Sequence, residues 1–395
     1  MDAVGLVERR CLVLNRAEEE VDATGGLVSP LRPLYEAGLG EWRDVWGGAV
    51  PQPSCRVAGL GSALCRSGRR LPEVDAEGWN LTRQWAMHME SLSRREQDDG
   101  DCREFARFHE NGWLPPLWIW AESTPGLDGA LLDELLADPA YDEYLSQATD
   151  RALPFGSPAV LPMVRPQGLF RRKRVQELIH FRVLRHAAGL DVRGLTHIVE
   201  FGGGTGETAA VARDLGFGGR HVIIDLPPML LLQRYWLRFS GIPAYLGEDT
   251  PPAARADAAP PGGVVLESSL ARAPGQRYVS GADLRGALFL GLWSLTEAGL
   301  GARSKVWPLL LASGVVLLAF GNEFDGVDNA RFLDEELRRG GLSRTHRILC
   351  WHLASSAGHY YLLAVRRDLG PVVCSPELNC RHESRHALVA RGLDV

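Results

Sequence analysis

The residues with the clearest chemical potential are a cluster of glycines and an acid that follows them. Glycine fills positions 202, 203, 204 and 206 after an apolar run, and Asp225 ends the next apolar run, 19 residues beyond Gly206. Glycines after a strand let the backbone turn tightly and let a ligand approach closely. An acid at the end of the following strand can accept hydrogen bonds from both hydroxyls of a ribose. The spacing therefore predicts a nucleotide-type cofactor site at Gly202, Gly204, Gly206 and Asp225.

The glycine pattern distinguishes between types of cofactor loop. A dinucleotide loop of the form Gly-x-Gly-x-x-Gly, started at Gly202, requires glycine at position 207, where this chain has Glu207. No Gly-Lys-Ser or Gly-Lys-Thr occurs, which excludes a phosphate-binding P-loop. The pattern is instead acid-x-Gly-x-Gly-x-Gly. From the residues alone, an ordinary strand-to-helix turn remains an alternative for the glycines, and a helix N-cap before Pro227 remains one for Asp225.

These residues resemble the class I S-adenosylmethionine-dependent methyltransferases. Residues 200–206 are similar to the first motif of that group, and Asp225 is similar to the ribose-binding acid at the end of its second strand. Three segments resemble more specifically the putative sugar O-methyltransferase family, namely residues 198–206, 224–237 and 293–297. The resemblance implies S-adenosylmethionine as the cofactor, and it adds Glu200 to Gly202, Gly204, Gly206 and Asp225 as a cofactor-binding residue. It also implies methyl transfer to an oxygen of a sugar or another small-molecule acceptor.

Other functions use similar loops. Methylation of nitrogen, sulfur or carbon would need the same cofactor motifs, so the oxygen acceptor rests on the family resemblance. A methyltransferase fold without catalysis, serving as a binding subunit, is a second alternative. A nicotinamide-dependent oxidoreductase is a third, and the missing glycine at position 207 argues against it.

Short apolar runs and helical patterns surround the glycine segment and must position it. Strands are predicted at residues 196–201, 220–225, 286–292, 314–320, 347–353 and 359–366. Helices are predicted at residues 207–215, 228–239 and 329–339. This alternation predicts a mostly parallel α/β sheet. Residues 354–358 are too few for a crossover helix, so the last strand must be antiparallel.

The third strand of the sheet has two candidates, residues 242–246 and residues 264–266, each ending in acidic or polar residues suited to an adenine. With one of them included, the predicted fold is a Rossmann-like seven-stranded methyltransferase sheet with an antiparallel last strand. The first 190 residues lack the alternation and carry seven of the 11 tryptophans. We therefore predict a mainly α-helical N-terminal or cap domain at 1–190, a cofactor-binding domain at 191–370 and a C-terminal tail at 371–395.

Candidate catalytic residues follow from the chemistry of a hydroxyl acceptor, which must lose its proton and needs a base. Ligands of an open parallel sheet bind beyond the carboxyl ends of its strands. Glu297 follows the strand at 286–292, His352 ends the penultimate strand, and His359 starts the reversed last strand. All three are therefore predicted catalytic residues at that edge. Trp293 is predicted to lie along the methionine part of the cofactor, while core, turn or helix-terminus roles remain alternatives for these four residues.

Composition bears on partners and location. The chain has 45% hydrophobic and 23% charged residues and a net charge of −6, with its arginines spread along the sequence, so no nucleic-acid partner is predicted. The longest apolar run, 315–320, is far shorter than the roughly 20 residues that span a bilayer, so no membrane partner is predicted. The start lacks a signal-peptide core, and a cytoplasmic location is expected. No metal site is predicted, and a homo-oligomer is compatible with the sequence.

Overall fold

The structure is a computed structural model that describes residues 81–83, 85–87, 89, 160–162, 169–247, 262–268, 283–339, 341–352 and 359–369. Two compact units divide the chain, one comprising Val74–Ala86 and Glu177–Val395 and the other comprising the remaining residues. In the second unit, β1 (Val160–Pro162) and β2 (Leu169–Arg171) pair antiparallel. The predicted helical domain at 1–190 and tail at 371–395 lie mostly outside the described residues, and this organisation stays a prediction.

Ten further strands lie in the first unit. They are β3 (His197–Phe201), β4 (Arg220–Ile224), β5 (Ala244–Leu246), β6 (Val264–Glu267), β7 (Ala287–Leu292), β8 (Val315–Gly321), β9 (Glu323–Phe324), β10 (Val327–Asp328), β11 (His346–His352) and β12 (His359–Arg366). Strands β9 and β10 form a separate small hairpin. The other eight form one sheet in the order β11-β12-β8-β7-β3-β4-β6-β5.

Residues 83, 85–87 and 89 are helical, and seven α-helices accompany the strands among the other described residues. They are α1 (Arg172–Ala188), α2 (Glu207–Asp214), α3 (Pro227–Phe239), α4 (Ser294–Glu297), α5 (Leu300–Ala312), α6 (Asn329–Arg339) and α7 (Leu342–Thr345). Short 3-10 turns precede β3 at Val192–Gly194 and β7 at Asp283–Gly286. The predicted helices after the glycines, after Asp225 and at 329–339 are therefore confirmed.

The mostly parallel sheet with an antiparallel last strand is also confirmed. Strands β3 to β8 pair parallel with one another, whereas β12 runs antiparallel to both β8 and β11. The central strands are rich in apolar residues because both faces of the sheet are covered, and every residue of β3 is buried, including the polar His197 and Glu200.

The number of strands differs from the prediction of seven, since the sheet has eight. Both candidate segments for the third strand are strands: β6 pairs with β4, and β5 adds to the outer side of β6 as the edge strand. Both runs bury their apolar side chains, with Ala244 1% exposed and Val264 fully buried. Apolar character alone therefore could not choose between them, because each satisfies it.

The order of the sheet reverses at β3, which has β4 on one side and β7 on the other. In open α/β sheets, ligands bind in the crevice at the carboxyl ends of the strands at such a reversal. Helices α2 and α3, which follow β3 and β4, pack on one face of the sheet in a cluster with Ile223, Val264 and Leu266. Full burial of a leucine such as Leu237 contributes about 1.5–3 kcal/mol, so this packing fixes both helices over the reversal point.

Candidate functional site

The glycine segment forms a tight loop between β3 and α2. Gly202 has φ 72° and Gly206 has φ 85°, and both angles lie in the left-handed region that favours glycine. The N–H of Gly202 donates to Ile224 O at 2.8 Å, which ties the loop to the end of β4. A Cβ on Gly202 would lie 2.2 Å from Ser294 Cβ. Glycine is therefore required here both by the backbone angle and by the close approach of α4.

Asp225 follows β4 directly and is held by the same loop. One carboxylate oxygen accepts from the N–H of Leu226 at 2.7 Å and the other from Nε2 of Gln233 at 2.6 Å. The N–H of Gly203 donates to the carboxylate as well. Burial raises the pKa of Asp225 to about 7, the negative charge of Glu200 adds to that rise, and the three N–H donors oppose it. Asp225 has no ion pair within the described part of the chain.

Gln233 on α3 joins the two parts of the site, and the sequence predicted no role for it. Its side chain is fully buried, and Nε2 donates both to Asp225 and to Gly204 O, at 3.0 Å from the latter. Its Oε1 is buried and has no hydrogen-bond partner among the described residues. The signal for it was present, because Gln233 interrupts the apolar stripe of α3, which includes Leu230 and Leu237.

Glu200, near the end of β3, points into the protein. Its Oε2 lies 2.8 Å from Nε2 of His221 on β4, and both side chains are buried. The described contact of Glu200 is thus with a histidine of the neighbouring strand. A buried pair of this kind is costly to break, because removal of one partner leaves the other unpaired in a poorly solvated place. The charge of Glu200 raises the pKa of Asp225, and the predicted role of Glu200 in cofactor binding stays a prediction.

Trp293 lies at the carboxyl end of β7, on the opposite side of the reversal from Asp225. It has φ 63°, an unfavourable angle for a residue with a Cβ, which costs about 1–3 kcal/mol. Its N–H donates to Ala319 O at 2.6 Å, and its carbonyl accepts from the N–H groups of Thr296 and Glu297, each at 3.0 Å. These bonds hold the strained residue between β8 and α4.

The half-buried ring of Trp293 faces helix α1. Its centroid lies 5.6 Å from that of His180 in an edge-to-face arrangement. His180 Nδ1 is 2.7 Å from the hydroxyl of Tyr361 on β12, and both of these side chains are buried. The indole therefore rests against an ordered cluster of polar aromatic side chains. This supports a fixed orientation of Trp293 at the rim of the sheet.

A buried arginine anchors the segment that carries Glu297. Arg303 on α5 is fully buried and donates to Ala298 O at 2.8 Å, to Asn329 Oδ1 at 2.8 Å and to Thr296 O. Asn329 in turn donates to Gly321 O at 3.0 Å, at the end of β8. Burial lowers the pKa of Arg303 to about 10, so the guanidinium remains charged at neutral pH. The cation thus joins the loop after β7 to the loop after β8.

The three predicted catalytic residues lie on the expected edge of the sheet. Glu297 ends α4 and is half-buried. His352 is the last residue of β11, and His359, the first residue of β12, pairs with Gly321 of β8. The side chains of both histidines lie outside the described part of the structure. Only Glu297 is thus linked to the glycine loop by described contacts, since Ser294 of the same helix donates to Phe201 O and abuts Gly202.

Two negative observations concern other sites in the described part of the chain. None of its helices combines the length and the apolar character that a membrane span requires. Within the same residues, no three His, Cys, Asp or Glu side chains are grouped as a metal ion would require.

Comparisons with known proteins give fold-level likeness. No family model and no curated protein matches the sequence. Among solved structures, the methyltransferase domain of bacterial CtHen1 is 10% identical and has a TM-score of 0.34, covering 48% of this chain and 98% of that one. The precorrin-6y C5,15-methyltransferase of Geobacter metallireducens is 15% identical, with a TM-score of 0.30 and coverage of 53% and 93%. The glycopeptide N-methyltransferase MtfA, complexed with S-adenosylmethionine, is 11% identical, with a TM-score of 0.30 and coverage of 58% and 98%.

The sheet itself is mostly parallel with an antiparallel β12, which is a Rossmann-like α/β arrangement. At such low identities and TM-scores, the three solved structures carry no conclusion about the activity of this chain. Its site has to be interpreted from its own residues.

Proposed function

We propose that the chain is a class I S-adenosylmethionine-dependent methyltransferase that methylates a hydroxyl oxygen of a sugar or another small molecule. One observation carries the proposal. The glycine loop after β3 and the acid after β4 are joined by shared hydrogen bonds through Gln233 at the point where the strand order reverses. Ligands of open α/β sheets bind at this place.

Asp225 is suited to a ribose. A carboxylate has about four acceptor positions, and the described donors to Asp225 are three N–H groups, from Leu226, Gln233 and Gly203. Hydroxyl donors would add to the stabilisation of the ionised form, which burial disfavours. Binding of a diol and ionisation of Asp225 therefore favour each other.

The remaining contacts to the cofactor are proposed from position. The N-terminus of α2, capped by Gly206, offers backbone N–H groups that the helix itself does not use. Gly202 and Gly204 would contact the cofactor through their backbone, and Glu200, two residues before Gly202, is buried. Trp293 would flank the methionine part from the other side of β3. When bound there, S-adenosylmethionine supplies a methyl group on a sulfonium, which is already activated, so the protein chiefly aligns the acceptor.

The acceptor oxygen would bond to the methyl carbon as the methyl–sulfur bond breaks to leave S-adenosylhomocysteine, so the hydroxyl proton must pass to a side chain at the rim. We propose Glu297 as the first base to test, because α4 is held against the glycine loop by Ser294 and against β8 through Arg303. The proton would pass to a carboxylate oxygen of Glu297. His352 and His359 are the alternative bases, since their backbones lie at the same edge.

Cofactor binding is the first test. Tryptophan fluorescence of the full chain, titrated with S-adenosylmethionine and in parallel with NAD, should show saturable binding of the former. Asp225→Ala should abolish it. Binding of NAD alone would refute the proposal.

Turnover is the second test. Release of S-adenosylhomocysteine should be screened over sugars, phenols, small metabolites and amines, with and without Mg²⁺. Turnover on hydroxyl compounds supports O-methylation, and turnover confined to amines refutes it. Binding of the cofactor without turnover on any acceptor supports the alternative of a non-catalytic binding subunit.

A further inference from the structure

Gln233 makes two hydrogen bonds at the site, to Gly204 O and to Asp225, and the proposed function gives it no role. We propose that Gln233 is a positioning residue that orients the Asp225 carboxylate for cofactor binding and couples its charge to the shape of the glycine loop. The inference rests on the proposed function for the identity of the ligand, S-adenosylmethionine. The positioning of Asp225 also rests on the free protein, where both hydrogen bonds of Gln233 already exist.

The orientation of the Gln233 amide follows from its surroundings. Nε2 lies 2.6 Å from Asp225 Oδ2 and 3.0 Å from Gly204 O, and both of these atoms accept hydrogen bonds. Rotation of the amide by half a turn would place Oε1 against two acceptors, which is unfavourable while Asp225 is ionised. The amide thus stabilises the charge of Asp225 and holds the Gly204 carbonyl at the same time.

The location of Gln233 is costly for the fold, which favours a role in the site. The residue is fully buried on the stripe of α3 that packs on the sheet, and its Oε1 has no hydrogen-bond partner among the described residues. A leucine or methionine would fill this position without leaving an unsatisfied oxygen. A polar side chain here is therefore explained by its two contacts with the loop and the acid rather than by packing.

The ionisation of Asp225 is balanced between opposing groups. Burial and the charge of Glu200 on β3 raise its pKa, whereas the N–H groups of Leu226, Gln233 and Gly203 lower it. His221 on β4 pairs with Glu200, and Glu267 at the end of β6 is buried next to Ile224. Because ribose hydroxyls donate to a carboxylate, only ionised Asp225 serves this ligand well. Loss of the Gln233 donor should therefore move the pH dependence of cofactor binding upward.

The test compares Gln233→Met, which keeps the length of the side chain, with Leu230→Ala as a matched control on the same helix. Leu230 packs in the apolar cluster and has no part in the loop. S-adenosylmethionine affinity of the full chain is measured between pH 6 and pH 9. We expect wild type and Leu230→Ala to share a midpoint near 7, and Gln233→Met to have a midpoint higher by about one pH unit, from the loss of one charge-assisted hydrogen bond. Its affinity should be about fivefold weaker at pH 7 and should recover toward pH 9.

A second readout needs no cofactor. The difference in melting temperature between the protein with Asp225 and its Asp225→Asn variant, followed against pH, reports the ionisation of Asp225, because the Glu200–His221 pair is present in both. This difference is measured in the wild-type background and in the Gln233→Met background. A higher midpoint in the Gln233→Met background supports the inference, and identical midpoints overturn it.

The two readouts separate the inference from the proposed function. If the wild type binds no S-adenosylmethionine at any pH, the proposed function fails, while the cofactor-free comparison still decides the role of Gln233. Equal loss of affinity at every pH would reduce Gln233 to a packing residue and would overturn the inference.

Discussion

Replacement of Asp225 by asparagine tests whether the site buries a carboxylate at a cost to the free protein. Asp225 is 7% exposed, and no cation pairs with it among the described residues. Burial raises its pKa from 3.8 to about 7. An asparagine has nearly the same shape and no charge to desolvate. Without cofactor, the variant should therefore be more stable than the wild type wherever Asp225 is ionised.

The sign and size of the effect follow from linkage. Because the folded-state pKa lies above the unfolded value, the wild type loses stability as the pH rises from about 4 through about 7. A rise from 3.8 to about 7 corresponds to about 4 kcal/mol at pH 8 and above. Asparagine keeps an oxygen for the Leu226 N–H but turns its NH₂ toward that of Gln233, which forfeits about 1–2 kcal/mol. The net gain at pH 8.5 is thus about 2–3 kcal/mol, or roughly 4–12 °C in melting temperature.

The assay is thermal unfolding of both proteins at pH 5.5, 7 and 8.5 without cofactor. At pH 5.5 the wild type has already lost about 2 of these 4 kcal/mol, so asparagine should give a gain of no more than about 1 kcal/mol. The stability difference between the two proteins should therefore grow by about 2 kcal/mol from pH 5.5 to pH 8.5. A variant that is destabilised to the same extent at all three pH values would refute the claim that the Asp225 charge is buried at a cost.

Three further perturbations have definite expectations. Gly202→Ala should lower the free energy of unfolding by about 2 kcal/mol or more in chemical denaturation, because its Cβ would lie 2.2 Å from Ser294 Cβ. The control Gly189→Ala, with φ 64° and open space around it, should lower it by only about 1 kcal/mol. Arg303→Met should cost about 3 kcal/mol through the loss of its buried hydrogen bonds, and an unchanged melting curve would contradict the anchoring role. Glu297→Gln should lower kcat by about 100-fold, measured by S-adenosylhomocysteine release, and should leave the cofactor Kd within about twofold, measured by fluorescence. An unchanged kcat would show that Glu297 is not the base.

Much of the sheet could be predicted because its central strands are buried on both faces. The runs that became β7 and β8 consist of apolar residues and glycine, and those that became β3 and β4 are mostly apolar. This pattern is typical of a buried parallel strand, whatever its neighbours in the sheet are. The antiparallel β12 was predictable from loop length alone. The number of strands was not, because β5 and β6 differ in their hydrogen-bonding neighbours and not in their composition.

Within the site, backbone requirements were visible in the sequence and side-chain partnerships were not. Gly202 and Asp225 are recognisable from residue type and spacing. Gln233 bonds Gly204, 29 positions away, and Arg303 bonds Asn329, 26 positions away. Such partnerships depend on how α3 and α5 pack, so no local pattern contains them. The sequence does show that Gln233 is a polar residue within the apolar stripe of α3, where a core side chain is expected.

At the carboxyl ends of the strands, the site residues form two halves, one on each side of the reversal at β3. The contact between these halves constrains the alignment of the methyl donor and the base. On one side of the reversal, the glycine loop, Asp225 and Gln233 form a unit held by hydrogen bonds. On the other side, the segment 293–297, which includes α4, is fixed to β8 through Arg303. The halves meet where Ser294 donates to Phe201 O and its Cβ occupies the space that a Cβ on Gly202 would need. Because this contact joins the two halves in the free protein, a proposed methyl donor on one half and a base on the other would be aligned by the fold before any ligand binds.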